Sequence, residues 1–187
     1  MPDSGLRTAF TNARSSALPV PLSTRRAPST VISNLTIRLA ASGDEFAIAA
    51  LSRAEIEHGL PWTWREPRVR RAIADPETNV IVVGPPGAVV AFGVMFHADD
   101  DAHLLLFAVQ RTRQRQGIGS ALLQWLEAAA RAAGARRIRV EARLDNDAAR
   151  SFYNEHGYHE GVVVPRMYSQ RLDGVCLEKW LRADGAD

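Results

Sequence analysis

Gln114-Arg115-Gln116-Gly117-Ile118-Gly119-Ser120 follows the apolar run Leu104-Leu105-Leu106-Phe107-Ala108-Val109 and leads into Ala121-Leu122-Leu123-Gln124-Trp125-Leu126. A strand-length apolar run, a glycine turn and an amphipathic helix form a local recipe for an anion site. Glycines let the main chain approach a phosphate closely, and the helix's first free amides and positive dipole end face it. Arg111, Arg113 and Arg115 add full charges on the approach. The turn is not a dinucleotide fingerprint, because Leu122 stands where a third glycine is required. It is not a P-loop either, since Gly-Lys-Ser/Thr does not occur.

Working outward, 187 residues suffice for one domain with a buried core and no covalent staples. The 46% apolar and 24% charged residues are ordinary for a globular protein. No run reaches transmembrane length, so no membrane partner is expected. Cys176 is the single cysteine, which excludes an internal disulfide and fits a reducing, cytoplasmic setting. No Cys/His cluster has metal-ligand spacing, so no metal is expected. The net charge of +2 is uneven: residues 1–33 carry Arg7, Arg14, Arg25 and Arg26 against Asp3 alone. The remainder is slightly acidic, which argues against general nucleic-acid binding by the folded part. Residues 1–33 are rich in Ser, Thr, Ala, Pro and Arg without an apolar period and read as a disordered extension. Residues 34–182 read as the folded domain and 183–187 as a tail.

Within the domain, Leu35-Thr36-Ile37-Arg38-Leu39 alternates as a strand. Ser42 or Asp44 can cap the next helix, whose apolar positions are Phe46, Ile48, Ala49, Leu51, Ala54 and Ile56. A second helix is predicted over residues 66–74, ended by Asp75-Pro76. Two apolar runs flank Gly84-Pro85-Pro86-Gly87 as a hairpin. The run at Leu104 follows the polar turn Asp99-Asp100-Asp101. After the central helix, residues 136–144 form a strand with Ile138, Val140, Ala142 and Leu144 on one face, so a parallel crossover is predicted. A helix from Asp147 to His156 follows, capped by Asn146 or Asp147 and closed by Gly157. Two strands end the domain, around residues 160–164 and 175–181.

The loop's Gln/Arg-x-x-Gly-x-Gly/Ala pattern, with Asn146, Ala148-Ala149, Phe152-Tyr153 and Gly157-Tyr158 further on, resembles the GCN5-related N-acetyltransferase (GNAT) superfamily. The element order resembles it over residues 34–182. The resemblance implies an α/β fold with a mixed central sheet of about seven strands and helices on both faces. Leu60-Pro61-Trp62, Glu141 twelve residues before Tyr153, and Tyr168 followed by Leu172-Asp173 resemble ribosomal-protein alanine N-acetyltransferases of the RimI type. Met167-Tyr168 and Gln170-Arg171-Leu172-Asp173 depart from that group's acceptor-side pattern.

The implied activity is direct transfer of an acetyl group from acetyl-CoA to a primary amine, a peptide N-terminus or a small molecule, by a monomer or homodimer. The resemblance assigns the coenzyme to the main chain of Gln114, Arg115, Gln116, Gly117, Ile118, Gly119 and Ser120. Asn146 would meet the pantetheine arm, and a freed amide at Ala108 or Val109 would hold the thioester oxygen. Glu141 is the candidate base, directly or through water; alternatively it pairs with Arg139 or Arg143. Glu55, Glu57 and His103 are further candidates. Tyr153 is the candidate acid for the leaving thiolate, alternatively a packing aromatic. Trp62 and Trp64 are acceptor contacts or loop anchors. Cys176 is expected to be a buried apolar residue rather than a nucleophile. The alternatives to an enzyme are a ribosome- or RNA-associating module and a coenzyme A sensor.

Overall fold

The computed structural model describes residues 31–32 and 35–181. The expected extension and tail therefore lie outside the described residues, apart from Val31 and Ile32. Those two form a short strand, β1 (Val31–Ile32), paired with β2 (Leu35–Leu39). The chain continues as α1 (Asp44–Glu55), α2 (Glu66–Ala74), β3 (Thr78–Val83), β4 (Ala91–Ala98) and β5 (Asp101–Val109). A 3-10 turn (Arg111–Arg113) leads to α3 (Ile118–Ala132), β6 (Arg137–Arg143), α4 (Asp147–Glu155), β7 (His159–Tyr168) and β8 (Leu172–Trp180).

The strands form one sheet in the order β1-β2-β3-β4-β5-β6-β8-β7. That is eight strands where about seven were expected, the extra one being the two-residue β1. Pairing is antiparallel except between β5 and β6, the strands joined through α3. Alternation along β3 explains why helices cover both faces: Ile81 and Val83 point to one core, Val80 and Val82 to the other. On the first face lie Ile118, Leu122, Leu123, Leu126 and Ala130 of α3 with Tyr153 of α4. On the second lie Ile48, Ala49 and Leu51 of α1, Val69 of α2 and Trp64 of the bend. Each fully buried leucine contributes about 1.5–3 kcal/mol, so α3 is held chiefly by its apolar stripe.

The start of α1 differs from expectation. Gly43, at φ 101°, precedes its first residue, and neither Ser42 nor Asp44 caps it in the usual way. The Asp44 carboxylate instead accepts from the Ala41 amide at 2.8 Å, and Glu45 accepts from the Gly43 amide at 2.7 Å. Phe46, expected on the core stripe, is 59% exposed. At α4 the expected cap forms: Asn146 Oδ1 accepts from the Ala149 amide at 3.1 Å.

The feature that shapes the functional region lies in β5. Met95 pairs with Leu104 but Val94 pairs with Leu106, so Leu105 is an extra residue, a β-bulge. Ala102 and Leu104 face the α3 core, whereas Leu106 and Ala108 face the α1–α2 core. One inserted residue has exchanged the faces of the strand.

Candidate active site

β5 and β6 pair only from Asp101↔Arg137 to Leu104↔Val140. Past the bulge β5 remains on β4, and among the described residues no strand lies hydrogen-bonded on its other side. In an antiparallel ladder, alternate residues bond the neighbour. The Gln110 amide donates to the Val90 carbonyl at 2.8 Å, and with Val109 opposite Ala91 this puts Ala108 and Leu106 in the bonded positions. The Phe107 and Val109 peptide groups therefore point into the gap. Of the two expected donors, Ala108 has its amide in the ladder and Val109 has its amide free of it. The Gln114 Nε2 amide, which donates to the Val109 carbonyl at 3.0 Å, confirms the direction of that peptide.

The glycine turn stands at the end of the same strand. Gly117 takes φ 78° and provides no side-chain cap for α3, whose first turn carries no acidic residue. The first intrahelical bond is Ala121 N–H to the Gly117 carbonyl at 3.1 Å. Among the described residues, the Gly117, Ile118, Gly119 and Ser120 amides therefore meet no backbone acceptor, and Arg113 and Arg115 are exposed beside them. Free amides without a carboxylate cap suit a phosphate group. A Cβ on Gly119 would come within 3.3 Å of the Phe152 ring, so only glycine leaves that aromatic in its place without adjustment. Gln114 and Gln116 act differently: their side chains donate to the Val109 and Thr112 carbonyls and brace the turn. Asn146 caps α4, as its alternative role required.

Glu141 lies on the face of β6 opposite the α3 core. Its two arginine neighbours are engaged elsewhere: Arg139 with Asp101 at 2.6 Å and Arg143 with Asp145 at 2.8 Å. His103 Nε2 lies 4.0 Å from the Glu141 carboxylate. Burial holds His103 below the usual imidazole range, against the pull of Glu141, so the ring is neutral near pH 7. Cys176 stands opposite Glu141 on β8, half-buried, its thiol pushed up by burial and by the Glu141 charge. Tyr153 is buried, 5.5 Å from Tyr158 and 6.4 Å from Phe107 between ring centroids. Burial, and then the neighbouring Tyr168, push its phenol well above the ordinary value. Tyr168 in turn is pushed up by burial and by Glu141. The structure thus links Tyr153 to Tyr168, Tyr168 to Glu141 and Glu141 to His103.

The α1–α2 bend behaves otherwise. Glu57 is buried and accepts from the Thr63 amide at 2.7 Å, the Thr63 hydroxyl at 2.6 Å and the Trp64 amide at 3.2 Å. It is a clamp for the bend, not a free base. Glu55 accepts from the Arg111 amide at 3.0 Å, tying α1 to the turn after β5. Trp64 is in the core and Trp62 packs against it, with Arg68 and Arg65 over their rings at 4.2 and 5.3 Å. Both tryptophans anchor the loop.

The acetyltransferase (GNAT) family profile matches residues 48–158, more than half of the chain. The chain belongs to the acetyltransferase (GNAT) family. This GNAT chain is 34% identical over 88 residues to the ribosomal protein bS18-alanine N-acetyltransferase of Escherichia coli K12, covering 47% of the one and 59% of the other. It is 32% identical over 80 residues to an uncharacterized N-acetyltransferase of Methanocaldococcus jannaschii, covering 42% and 51%. The chain thus spans under two thirds of the length of the curated relatives it matches. Among solved structures, Ard1 from Thermoplasma volcanium superposes with a TM-score of 0.70 at 24% identity, covering 79% of this chain and 98% of that one. The Escherichia coli ribosomal-protein-S18-alanine N-acetyltransferase gives 0.68 at 23% identity, covering 82% and 99%. The PaiA N-acetyltransferase of Thermoplasma acidophilum, solved with coenzyme A, gives 0.67 at 15%, covering 79% and 99%. At these identities the structural likenesses establish the GNAT fold.

Sequence reasoning missed one contact at the GNAT loop. His156 Nε2 lies 3.0 Å from Ser120 Oγ, and the ring packs at a tilt against Phe152, 4.4 Å between centroids. Its place one helical turn after Phe152 was the available signal.

Proposed function

We propose that this chain is an acetyl-CoA-dependent N-acetyltransferase acting on a primary amine by direct transfer in a ternary complex. The supporting observation is the gap in the sheet: pairing ends at Leu104↔Val140, and the freed Val109 amide stands beside the uncapped first turn of α3. The Gly117 to Ser120 amides hold the coenzyme diphosphate, assisted by Arg113 and Arg115. Acetyl-CoA supplies a thioester whose carbonyl carbon takes the amine and whose sulfur departs as a thiol. The Val109 N–H donates to the carbonyl oxygen as charge gathers there; one such donor is worth about 3 kcal/mol of barrier. Glu141 removes the amine proton, with neutral His103 next to receive it. Tyr153 keeps its proton because of its burial. It therefore hydrogen-bonds the sulfur and yields the proton only as the sulfur becomes anionic.

The acceptor is a peptide N-terminus or a small amine, consistent with the bS18-alanine acetyltransferase named among the relatives. The working compartment in this reading is the cytoplasm; among the described residues no helix is long and apolar enough to cross a membrane. The test is thiol release from acetyl-CoA with free amines beside short peptides, one starting with alanine. Tyr153→Phe is expected to lower kcat roughly 10- to 100-fold while coenzyme affinity stays within about twofold. Coenzyme binding with no turnover on any acceptor favours a sensor; no coenzyme binding overturns the reading.

A further inference from the structure

The seam between α3 and α4 holds a titratable group that the transfer chemistry does not use. His156 follows the last turn of α4 and is half-buried. Its Nδ1 lies 2.7 Å from the Phe152 carbonyl oxygen and its Nε2 3.0 Å from Ser120 Oγ. A carbonyl oxygen only accepts, so Nδ1 carries a hydrogen. In the neutral ring Nε2 is therefore bare, and the Ser120 hydroxyl donates to it. That donation turns the Ser120 proton away from the free amides of α3 and leaves only lone pairs to meet an anion. The ring has little freedom to do otherwise. It packs at a tilt against Phe152, which itself closes over Gly119.

Protonation reverses the sense of this bond. With hydrogens on both nitrogens, Nε2 donates to Ser120 Oγ and the hydroxyl proton is released toward the helix N-terminus. One proton taken up thus supplies one additional donor and one positive charge beside the anion site. The charged groups on the elements packed about the seam are Lys179, Glu127, Arg131 and Glu155, with Arg113 and Arg115 exposed at the turn before α3. Lys179 of β8 donates to the His156 carbonyl at 2.8 Å and to both Glu127 oxygens of α3 at 2.8 and 2.9 Å. Arg131 of α3 lies 3.7 Å from Glu127, and Glu155 on α4 is exposed. Tyr153 and Tyr158 contribute neutral phenols.

We infer that His156, acting through Ser120, is a positioning residue for the coenzyme's diphosphate, and that diphosphate binding takes up a proton at its ring. This rests on the reading that the diphosphate occupies the first turn of α3. The step balances: solvent gives one proton to Nε2, and the Ser120 hydroxyl exchanges its acceptor from Nε2 to a phosphate oxygen.

The full chain is titrated with coenzyme A by calorimetry in two buffers of different ionisation heat. Dephospho-coenzyme A is run in parallel, because its diphosphate does not titrate near neutrality whereas the 3′-phosphate of coenzyme A does. The wild type is expected to take up on the order of half a proton near neutral pH and to bind roughly fivefold tighter at about pH 6 than at about pH 8. His156→Gln keeps an amide at the seam but cannot be protonated; its uptake is expected to vanish and its affinity to become independent of pH. Ser120→Ala leaves the ring in place and is expected to lose the same dependence, so it serves if the glutamine variant fails to fold. Binding without proton uptake in the wild type, or equal uptake in wild type and variants, overturns the role of His156 while leaving the transferase reading intact. No binding of either coenzyme overturns the transferase reading itself, and this inference with it.

Discussion

Glu141 and Tyr153 flank the same gap from opposite faces of the sheet, and their removal should fail in different ways. Glu141→Gln keeps shape and polarity but cannot accept a proton. It is expected to lower kcat/KM about 100-fold with coenzyme affinity unchanged, read by steady-state kinetics beside calorimetry. A loss under about threefold would move the base elsewhere, with His103 the first alternative. The type of residue at these positions was legible in the sequence; the company it keeps was not. Arg139 and Arg143 are Glu141's neighbours on one face, yet Asp101 and Asp145 engage them. Both partners of those pairs are set by strand register and a turn, which no local pattern displays. Glu57, a further candidate base by its type, shows the same limit: the chain folds back and presents two amides to it.

At the scale of elements, α1 depends on a carboxylate rather than on a conventional cap. Asp44 receives Arg38 NH1 at 2.6 Å and NH2 at 2.9 Å as well as the Ala41 amide. The Arg38 hydrogen bonds hold its carboxyl below the usual range, against the opposing effect of burial. The native state therefore binds that proton more weakly than the unfolded chain does. Its stabilisation is complete above about pH 4 and disappears as pH falls through the depressed native value. Asp44→Asn is expected to cost on the order of 2 kcal/mol at neutral pH and to flatten the acid limb of a urea-unfolding series. An unchanged acid limb would show that Asp44 does not set it. The elements themselves were largely readable, because each has its own period and punctuation: α2 begins and ends at the predicted residues, and Asn146 caps α4. The bulge was not readable. In Leu104-Leu105-Leu106 every residue is apolar, so a change of face leaves no mark in the pattern.

For the molecule as a whole, the helices over one face of the sheet have to be held onto it, and a partly buried ion pair contributes to that. Lys179, the only lysine, joins β8 to Glu127 of α3 and to the end of α4. Lys179→Met alone leaves the buried Glu127 carboxylate with Arg131, 3.7 Å away, as its remaining cation and is expected to cost about 2 kcal/mol of unfolding free energy. Glu127→Met with Lys179→Met is expected to recover most of it, since two apolar side chains of similar volume need no solvation. Chemical denaturation of the two variants decides the matter; a double variant as unstable as the single one would assign the cost to packing instead. The extra residue at Leu105 carries a broader consequence for how such a chain can change over time. Losing one residue anywhere in the outer half of β5 would swap which layer each side chain enters and would also rotate the Val109 amide back onto its neighbour. Catalytic capacity and hydrophobic layering are thus coupled through a single count, much as a reading frame couples codons. Length variation in this strand can survive only as compensated pairs.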